Sequence, residues 1–546
     1  MNPLSSNNRE PLLAKIQEQE FDLIIIGGGI TGAGILLDAT TRGLKTLLLE
    51  KGDFASGTSS RSTKLIHGGL RYLKQFHLKL VWEVGRERAI LYKNAPHLVI
   101  PERMLLPLVI NGSFTKILSR IGLAIYDVLA SVKPGEKKKM LSKADTLKTE
   151  PTLNQDILLG GCLYSEYRTD DARLTLEVIK TACAKGGHAV NYFNVEDFVY
   201  EDKKIVGIKG KDLILSSDHE IKSKMTVNAT GPWVDQLREK EEPVSGKRLH
   251  HTKGVHIVVP HEKLPINQAV YFDDFEGRMV FAIPRGKITY IGTTDTNYSG
   301  ELSNPRVSEE EVSYLLAATK KIFPNKQLVL SDIISSYAGI RPLIHEEGKL
   351  PSEISREDEV FISKAGLVSI AGGKLTGFRI MASKVMDLVI KKLHNQYGIQ
   401  HRKCQTRHTI INGGKIEDIL VFHSKLTTLV EKSGLEASNT NYLLQNYGNQ
   451  AEAILNRLDR EIPDKDKALA IAELQFALSH ESVFTLLDFF SRRTGRLFFN
   501  PKSIPPLLEA VADEMSEALS WDKNKKEEEI KKVEQAMADS INFGLS

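Results

Sequence analysis

Cysteines and long hydrophobic runs are scarce in this sequence. Its 546 residues include only three cysteines, Cys162, Cys183 and Cys404, whose wide separation argues against a disulfide framework or a zinc site and fits a reducing compartment. No stretch approaches the ~20 apolar residues that span a bilayer, and residues 1–20 lack the apolar core of a signal peptide. We therefore expect no metal site, and a protein that is cytoplasmic or lies on a membrane without crossing it.

An excess of one charge is also lacking. The sequence has 73 Lys and Arg residues against 69 Asp and Glu residues, which gives a net charge of +4. Because no basic patch with interleaved aromatic residues accompanies this balance, a nucleic-acid partner is not expected. The chain is also too long for one hydrophobic core, so two or three domains are expected.

The most informative stretch is residues 21–50. A short apolar run predicts a buried strand at Leu23–Ile26, followed by a helix at Ile35–Arg42 and a second strand at Thr46–Leu49. This order of elements is typical of a βαβ unit with a parallel sheet.

Three glycines after the first strand have the G-x-G-x-x-G spacing. Gly27 permits the tight turn, Gly29 lets the backbone approach a pyrophosphate, and Gly32 lets the helix pack closely on the sheet. The start of the helix favours phosphate groups, and Glu50 can accept hydrogen bonds from ribose hydroxyls. An ordinary βαβ unit with a glycine-rich turn is the alternative, but the strand, the helix and the acid together predict a dinucleotide site.

The chain contains one such glycine fingerprint, which favours one dinucleotide and an organic substrate that reacts with it directly. Residues 51–64 are rich in small hydroxylated side chains, which suits a second wall around a phosphate-bearing cofactor; a flexible surface loop is the alternative. The segment 228–231, Asn-Ala-Thr-Gly, follows another predicted strand and favours a flavin. A further strand, glycine turn and helix are predicted over 366–394.

Elsewhere the patterns predict helices over 78–95, 171–186 and 309–322, a hairpin over 195–210, and strands over 188–192, 255–259, 279–283 and 288–292.

Residues 113–132 place their apolar side chains on one helical stripe, and Lys137–Lys139 follow shortly after. One interpretation is a helix that packs on the core beside a solvated lysine run. The other is a helix that lies in a membrane interface with basic residues near anionic headgroups.

The pattern changes beyond about residue 400. Helices are predicted within 430–458 and 465–490, and a charged helix is predicted over 523–537. With no glycine fingerprint here, we expect a separate helical domain.

The longer motifs resemble those of the flavin-dependent glycerol-3-phosphate dehydrogenases, respiratory enzymes within a wider group similar to D-amino-acid oxidase. The resemblance runs from about residue 20 to 395 and continues more weakly beyond. The motifs that carry it are IIGGGITGAG at 25–34, TSSRSTKLIHGGLRYL at 58–73, NATGPWV at 228–234, IGTTD at 291–295, AGIRPL at 338–343 and GGKLT at 372–376.

The resemblance implies an α/β fold. A Rossmann-like FAD-binding domain would carry an inserted β-rich substrate domain, as in D-amino-acid oxidase, and an all-α C-terminal domain would follow. The FAD-binding domain would comprise 18–105, 155–235 and 356–395. The substrate-binding and membrane-facing domain would comprise 106–154 and 236–355, and the helical domain 400–546.

The resemblance also implies roles for individual residues. Those expected along FAD are Gly27, Gly29, Gly32, Glu50, Thr58, Ser59, Ser60, Ser62, Lys64, Leu65, Gly231, Lys374, Leu375 and Thr376. Those expected in the substrate pocket are His67, Arg71, Tyr72, Thr294 and Arg341.

These roles agree with the chemistry of sn-glycerol 3-phosphate. Arginines such as Arg71 and Arg341 can bind a phosphate with two parallel hydrogen bonds, although an arginine is more often a solvated surface charge. His67 is expected to be the general base that takes the proton of the 2-hydroxyl; a histidine that only binds loop backbone is the alternative. Assistance by Arg341 or Lys374, which would stabilise an alkoxide, is a further option. Lys374 is also expected to stabilise negative charge on the flavin.

The expected reaction is oxidation of glycerol 3-phosphate to dihydroxyacetone phosphate, with electrons passed through FAD to a membrane quinone. The alternative is an oxidase that uses O2 and releases H2O2. Related oxidases carry an insertion between the Arg-Pro-Leu and Gly-Gly-Lys motifs, and the short segment 343–372 favours the dehydrogenase. A non-redox protein with structural FAD is a third hypothesis.

A bacterial type is expected, since the D-x-D-x-D-G calcium loops of mitochondrial relatives are missing. Peripheral attachment to the inner face of the cell membrane is implied, and a homodimer stays open.

Overall fold

The computed structural model describes residues 3–66, 78–114, 137–274, 277–346 and 358–544. Three predicted pocket residues, His67, Arg71 and Tyr72, lie outside the described residues, as does most of the amphipathic segment 113–132. None of the described helices is long and apolar enough to cross a lipid bilayer.

The described strands are β1 (Glu20–Ile26), β2 (Thr46–Leu49), β3 (Leu65–Ile66), β4 (Ile100–Val109), β5 (Lys139–Leu141), β6 (Leu158–Arg168), β7 (His188–Val190), β8 (Phe193–Glu201), β9 (Lys204–Asp212), β10 (Ser217–Asn228), β11 (Lys247–Pro260), β12 (Ala269–Asp273), β13 (Met279–Arg285), β14 (Ile288–Gly292), β15 (Thr296–Asn297), β16 (Ser335–Glu346), β17 (Asp358–Ile362) and β18 (Val368–Gly372).

The described α-helices are α1 (Arg9–Gln17), α2 (Ile30–Thr41), α3 (Leu78–Asn94), α4 (Lys143–Thr149), α5 (Asp171–Cys183), α6 (Val234–Glu241), α7 (Glu309–Ile322), α8 (Phe378–Tyr397), α9 (Ile419–Lys432), α10 (Asn439–Tyr447), α11 (Ala451–Leu455), α12 (Lys465–His480), α13 (Arg496–Phe499), α14 (Pro505–Leu519) and α15 (Lys523–Asp539). A π-helical turn, Asp488–Arg493, lies between α12 and α13.

The first sheet has the strand order β17-β18-β10-β1-β2-β7, and β9 and β8 extend from β10. The strands at its centre are parallel, and both faces are covered, which explains the continuous apolar run of β1. Leu23 and Ile25 pack with α2, α5 and α8, whereas Ile24 and Ile26 pack with α1, β8 and β9.

The predicted βαβ unit is confirmed, with one difference. The helix α2 begins at Ile30, five residues before the predicted start, directly after the turn at Gly29. Because the small residues Gly32, Ala33 and Gly34 interrupt the apolar period near the start of the helix, the sequence pattern predicted only its apolar part.

The second sheet has the order β15-β11-β14-β13-β12-β4-β6-β3, with β16 on β11 and β5 on β6. The strands predicted at 255–259, 279–283 and 288–292 are present, and the first of them is the last part of the longer β11. One apolar cluster joins this sheet to α7. Strands β4 and β6 pair here although they lie partly or wholly in ranges that the sequence assigns to the FAD-binding domain. The domain limits stay a prediction.

The helices after residue 400 pack on both sheets. Val258, Ile283 and Tyr290 of the second sheet share one core with helices α12 and α14. A buried ion network also joins this region to α5: Arg173 and Lys180 both pair with Glu481, at 2.8 and 2.9 Å. The predicted fold class, an FAD-binding α/β fold with a helical C-terminal domain, is confirmed.

Candidate functional site

The turn between β1 and α2 accepts only glycine at two positions. Gly27 has φ of +114°, and a Cβ atom there would lie 2.5 Å from the Ala229 carbonyl oxygen. A Cβ atom on Gly32 would lie 1.9 Å from the carbonyl oxygen of Gly27. Backbone and helix therefore approach each other more closely than any other residue allows, as a site for a pyrophosphate requires.

Glu50 holds this turn from the end of β2. Its carboxylate accepts hydrogen bonds from the backbone N–H groups of Gly28, at 2.6 Å, and Gly52, at 2.8 Å. Burial raises the pKa of Glu50, and these two N–H groups oppose that effect. Ser59 Oγ accepts a further hydrogen bond from the N–H of Ile30, at 3.0 Å, so the hydroxylated loop folds against the start of α2.

A cavity of about 820 Å³ extends from this turn along the first sheet. Its size is within the range of small-molecule and cofactor sites, which is about 300–1,000 Å³. The predicted cofactor residues that line it are Gly27, Gly29, Glu50, Thr58, Ser59, Ser62, Gly231, Lys374 and Leu375. The glycine turn, Glu50 and the hydroxylated loop thus share one cavity, an arrangement that fits FAD.

Five other predicted cofactor residues do not line the cavity: Gly32, Ser60, Lys64, Leu65 and Thr376. Gly32 lies behind the turn, as the packing role requires. The ammonium of Lys64 is buried, donates to the backbone oxygen of Ser60 at 3.1 Å and pairs with Asp171. The charge of Lys64 is therefore balanced by Asp171 in the protein interior.

A second glycine turn lines the same cavity. Gly372 and Gly373, at the end of β18, have φ of +73° and +87°, and a 3-10 turn at Leu375–Gly377 leads into α8. This strand, turn and helix agree with the prediction over 366–394. The turn places Lys374 at the cavity wall.

Two predicted substrate residues, Arg341 and Thr294, contact each other in the structure. Arg341 Nη1 donates to the backbone oxygen of Thr294 at 3.1 Å and lies 3.3 Å from Asp295 Oδ1. The hydroxyl of Thr294 accepts from the N–H of Val255 at 3.0 Å and is buried. Pro342, the neighbour of Arg341, lines the cavity, whereas Arg341 itself is not among the lining residues.

His256 is a residue of this region that the sequence interpretation missed. It is buried on β11, its ring stacks on Tyr337 with centroids 4.7 Å apart, and Nε2 lies 3.0 Å from Thr63 Oγ1. Nδ1 has no hydrogen-bond partner among the described residues. Burial, with Arg341 and Lys64 nearby, lowers the pKa of His256 well below its usual value, so the ring is neutral at pH 7. A polar residue within the apolar strand Val255–Val258 was the available signal.

Family models match most of the chain. Residues 22–379 match the FAD-dependent oxidoreductases, and residues 404–526 match the C-terminal domain of alpha-glycerophosphate oxidase.

Individual proteins match over almost the whole length. The aerobic glycerol-3-phosphate dehydrogenase of Bacillus subtilis strain 168 is 46% identical over 98% of both chains, and that of Staphylococcus aureus strain USA300 is 45% identical over 98% of both. The crystal structure of glycerol-3-phosphate dehydrogenase from Bacillus halodurans, complexed with FAD, is 41% identical, has a TM-score of 0.85, and covers 100% of this chain and 99% of its own. Since similarity of this degree extends through both the cofactor domain and the helical domain, the chain belongs to the family of bacterial aerobic glycerol-3-phosphate dehydrogenases, which are FAD-dependent oxidoreductases.

Proposed function

We propose that the protein oxidises sn-glycerol 3-phosphate to dihydroxyacetone phosphate and passes the electrons through FAD to a membrane quinone. The observation that carries this proposal is a dinucleotide cavity lined by the glycine turn, Glu50 and Lys374, in a chain that is 46% identical to an aerobic glycerol-3-phosphate dehydrogenase. When bound, FAD supplies the acceptor for the hydride that leaves C2 of the substrate.

Arg341 would bind the substrate phosphate. Its contact with Asp295 and with two threonines of the segment 293–294 holds the guanidinium in one orientation, and both partners of the Asp295 pair keep 30% of their side-chain surface exposed. A phosphate can therefore reach the guanidinium and form charge-assisted hydrogen bonds. Arg71 and Tyr72, predicted for the same pocket, lie outside the described residues.

The proton of the 2-hydroxyl would go to a histidine. His67 is the base that the sequence resemblance implies, and it also lies outside the described residues. His256 is the second candidate, because its ring is neutral, buried and close to Arg341. Arg341 and Lys374 would favour loss of this proton by stabilising negative charge on the substrate oxygen.

Lys374 would also stabilise the negative charge that the flavin gains when it accepts the hydride. The lysine follows two glycines with positive φ, Gly372 and Gly373, and lies at the wall of the cavity.

For the electron acceptor, the short connection 343–372 supports a quinone. The oxidase alternative would use O2 instead. Transfer to a quinone would place the protein at the inner face of the cell membrane, where Lys137–Lys139 and the segment 113–132 are candidates for the contact. Whether two copies associate stays open.

An anaerobic titration with glycerol 3-phosphate tests the reaction. The visible flavin absorbance should bleach with one equivalent of substrate, and a quinone analogue should restore it much faster than air. Lack of bleaching would contradict the substrate. Rapid recovery in air, with H2O2 equal to the substrate consumed, would instead establish the oxidase.

A further inference from the structure

The helical C-terminal domain contributes a side chain to the FAD cavity. Arg492, on the π-helical turn Asp488–Arg493, lines the cavity together with Glu50 and the glycine turn. The glycine fingerprint and the hydroxylated loop, residues 51–64, did not predict that the cation of Arg492 would lie at the cavity wall.

Arg492 is held in place by three polar groups. Its Nε pairs with Asp53, Nη2 donates to Asp488 at 2.6 Å, and Nη1 donates to Ser491 Oγ at 3.0 Å. A guanidinium has five N–H donors in a fixed plane, so two are left after these contacts. The orientation of Arg492 is thus fixed before any ligand binds.

The loop that carries Asp53 begins directly after Glu50. Asp53 also pairs with Arg493, whose Nη2 lies 2.8 Å from its Oδ1, and Tyr192, which lines the cavity, donates to Asp488 at 2.6 Å. Asp53 is therefore shared between two guanidinium groups, and Asp488 is shared between Arg492 and the hydroxyl of Tyr192.

Arg61 adds a second cation to the same cavity wall. It donates to the backbone oxygen of Ser303 at 3.2 Å, and within the described ranges no carboxylate lies within 4 Å of its guanidinium. Burial, and next the charge of Arg492, lower the pKa of Arg61 to about 10. Two cations that approach each other in a partly buried site are stabilised when an anion lies between them.

Two N–H groups at the start of α2 are already engaged, those of Gly28 and Ile30, which donate to Glu50 and Ser59. Gly29 and Thr31 also line the cavity, so their backbone remains available to a diphosphate. Cations on the cavity wall would add to these contacts by balancing the charge of the diphosphate.

We propose that Arg492 and Arg61 bind the diphosphate of FAD, so that the C-terminal domain forms one wall of the cofactor site. This role depends on FAD being the cofactor and not on the identity of the substrate. Docking of the helical domain and FAD binding then stabilise each other.

The test is a titration of flavin-free protein with FAD in the absence of glycerol phosphate. Binding is measured by the quenching of flavin fluorescence. Arg61→Gln should weaken FAD binding at least tenfold and leave the thermal midpoint of the flavin-free protein nearly unchanged, because this change strands no carboxylate. Arg492→Gln should weaken binding by a similar factor, and Arg492→Lys by less. The salt dependence of binding should fall in both glutamine variants.

Arg493→Gln is the matched control, because Arg493 pairs with the same Asp53 but does not line the cavity. It should keep FAD affinity within about threefold of the wild type. Unchanged affinity in Arg61→Gln would overturn the proposal by itself, including in the case where a change at 492 or 493 prevents folding. Equal weakening by Arg492→Gln and Arg493→Gln would also overturn it and would assign Arg492 to the support of the loop at Asp53.

Discussion

We expect His97 to make the protein sensitive to mild acid at the contact between the cofactor domain and the helical domain. Its side chain is 1% exposed, and neither ring nitrogen has a hydrogen-bond partner among the described residues. The ring packs against two loops of the helical domain, where Cβ atoms on Gly413 and Gly448 would lie 2.7 and 2.8 Å from it. The charges of Arg173 and Lys180 lie nearby.

Burial, and then these two cations, lower the pKa of His97 from 6.5 to about 3. In the unfolded chain the histidine takes up a proton near pH 6.5, whereas in the folded protein it does so only near pH 3. The contribution to stability is therefore fully present above about pH 6.5 and is lost as the pH falls toward 3. At 1.36 kcal/mol for each pKa unit, the loss is about 2 kcal/mol at pH 5 and about 5 kcal/mol in full.

Urea unfolding followed by circular dichroism at pH 7.5 and pH 5 measures this loss. His97→Asn should lower stability at both pH values, because the packing changes, but should remove about 2 kcal/mol of the pH-dependent part. His401→Asn, at an exposed position, is the control for the loss of a histidine. If His97→Asn and the wild type lose the same stability between the two pH values, His97 is not the acid-sensitive group.

Four further outcomes are expected. Arg341→Ala should raise KM for glycerol 3-phosphate about 10- to 100-fold without changing the flavin content of the purified protein; an unchanged KM would remove Arg341 from the pocket. In stopped-flow measurements, the variant that lacks the general base, either His67→Ala or His256→Gln, should reduce flavin about 10²- to 10⁴-fold more slowly, and normal rates in both would exclude both histidines. Gly32→Ala should yield protein without bound FAD, because the added Cβ atom would lie 1.9 Å from a backbone oxygen; a normal flavin spectrum would show that the turn can shift. Glu481→Gln should cost about 3–5 kcal/mol of unfolding free energy, since it leaves buried cations underpaired, and a urea curve like that of the wild type would contradict a role in joining the domains.

Local patterns predicted several elements of the fold well. Strand β2 and helix α7 have the predicted bounds, and helix α3 ends one residue before its predicted end. These elements are short-range features in which apolar spacing, a capping serine at Ser308 or a following proline determines the limits. Helix α2 was predicted too short, because the small residues Gly32, Ala33 and Gly34 follow Ile30 and interrupt the apolar period.

Within the candidate site, the glycine turn, Glu50 and Lys374 could be predicted because each belongs to a continuous motif. His256 could not, since its function depends on its neighbours Thr63 and Arg341, which reach it from distant parts of the chain. Arg492 was missed for the same reason: it follows Asp53 by more than 400 residues.

The sequence by itself determined the βαβ unit, the cofactor class and the family, because glycine spacing and strand periodicity are local properties of the chain. Only the tertiary structure decided which charged side chains form ion pairs in the interior, such as Lys64, and which line the cavity, such as Arg61 and Arg492. The physical reason is that burial and ion pairing depend on residues far apart in the chain, and only the folded structure brings these together.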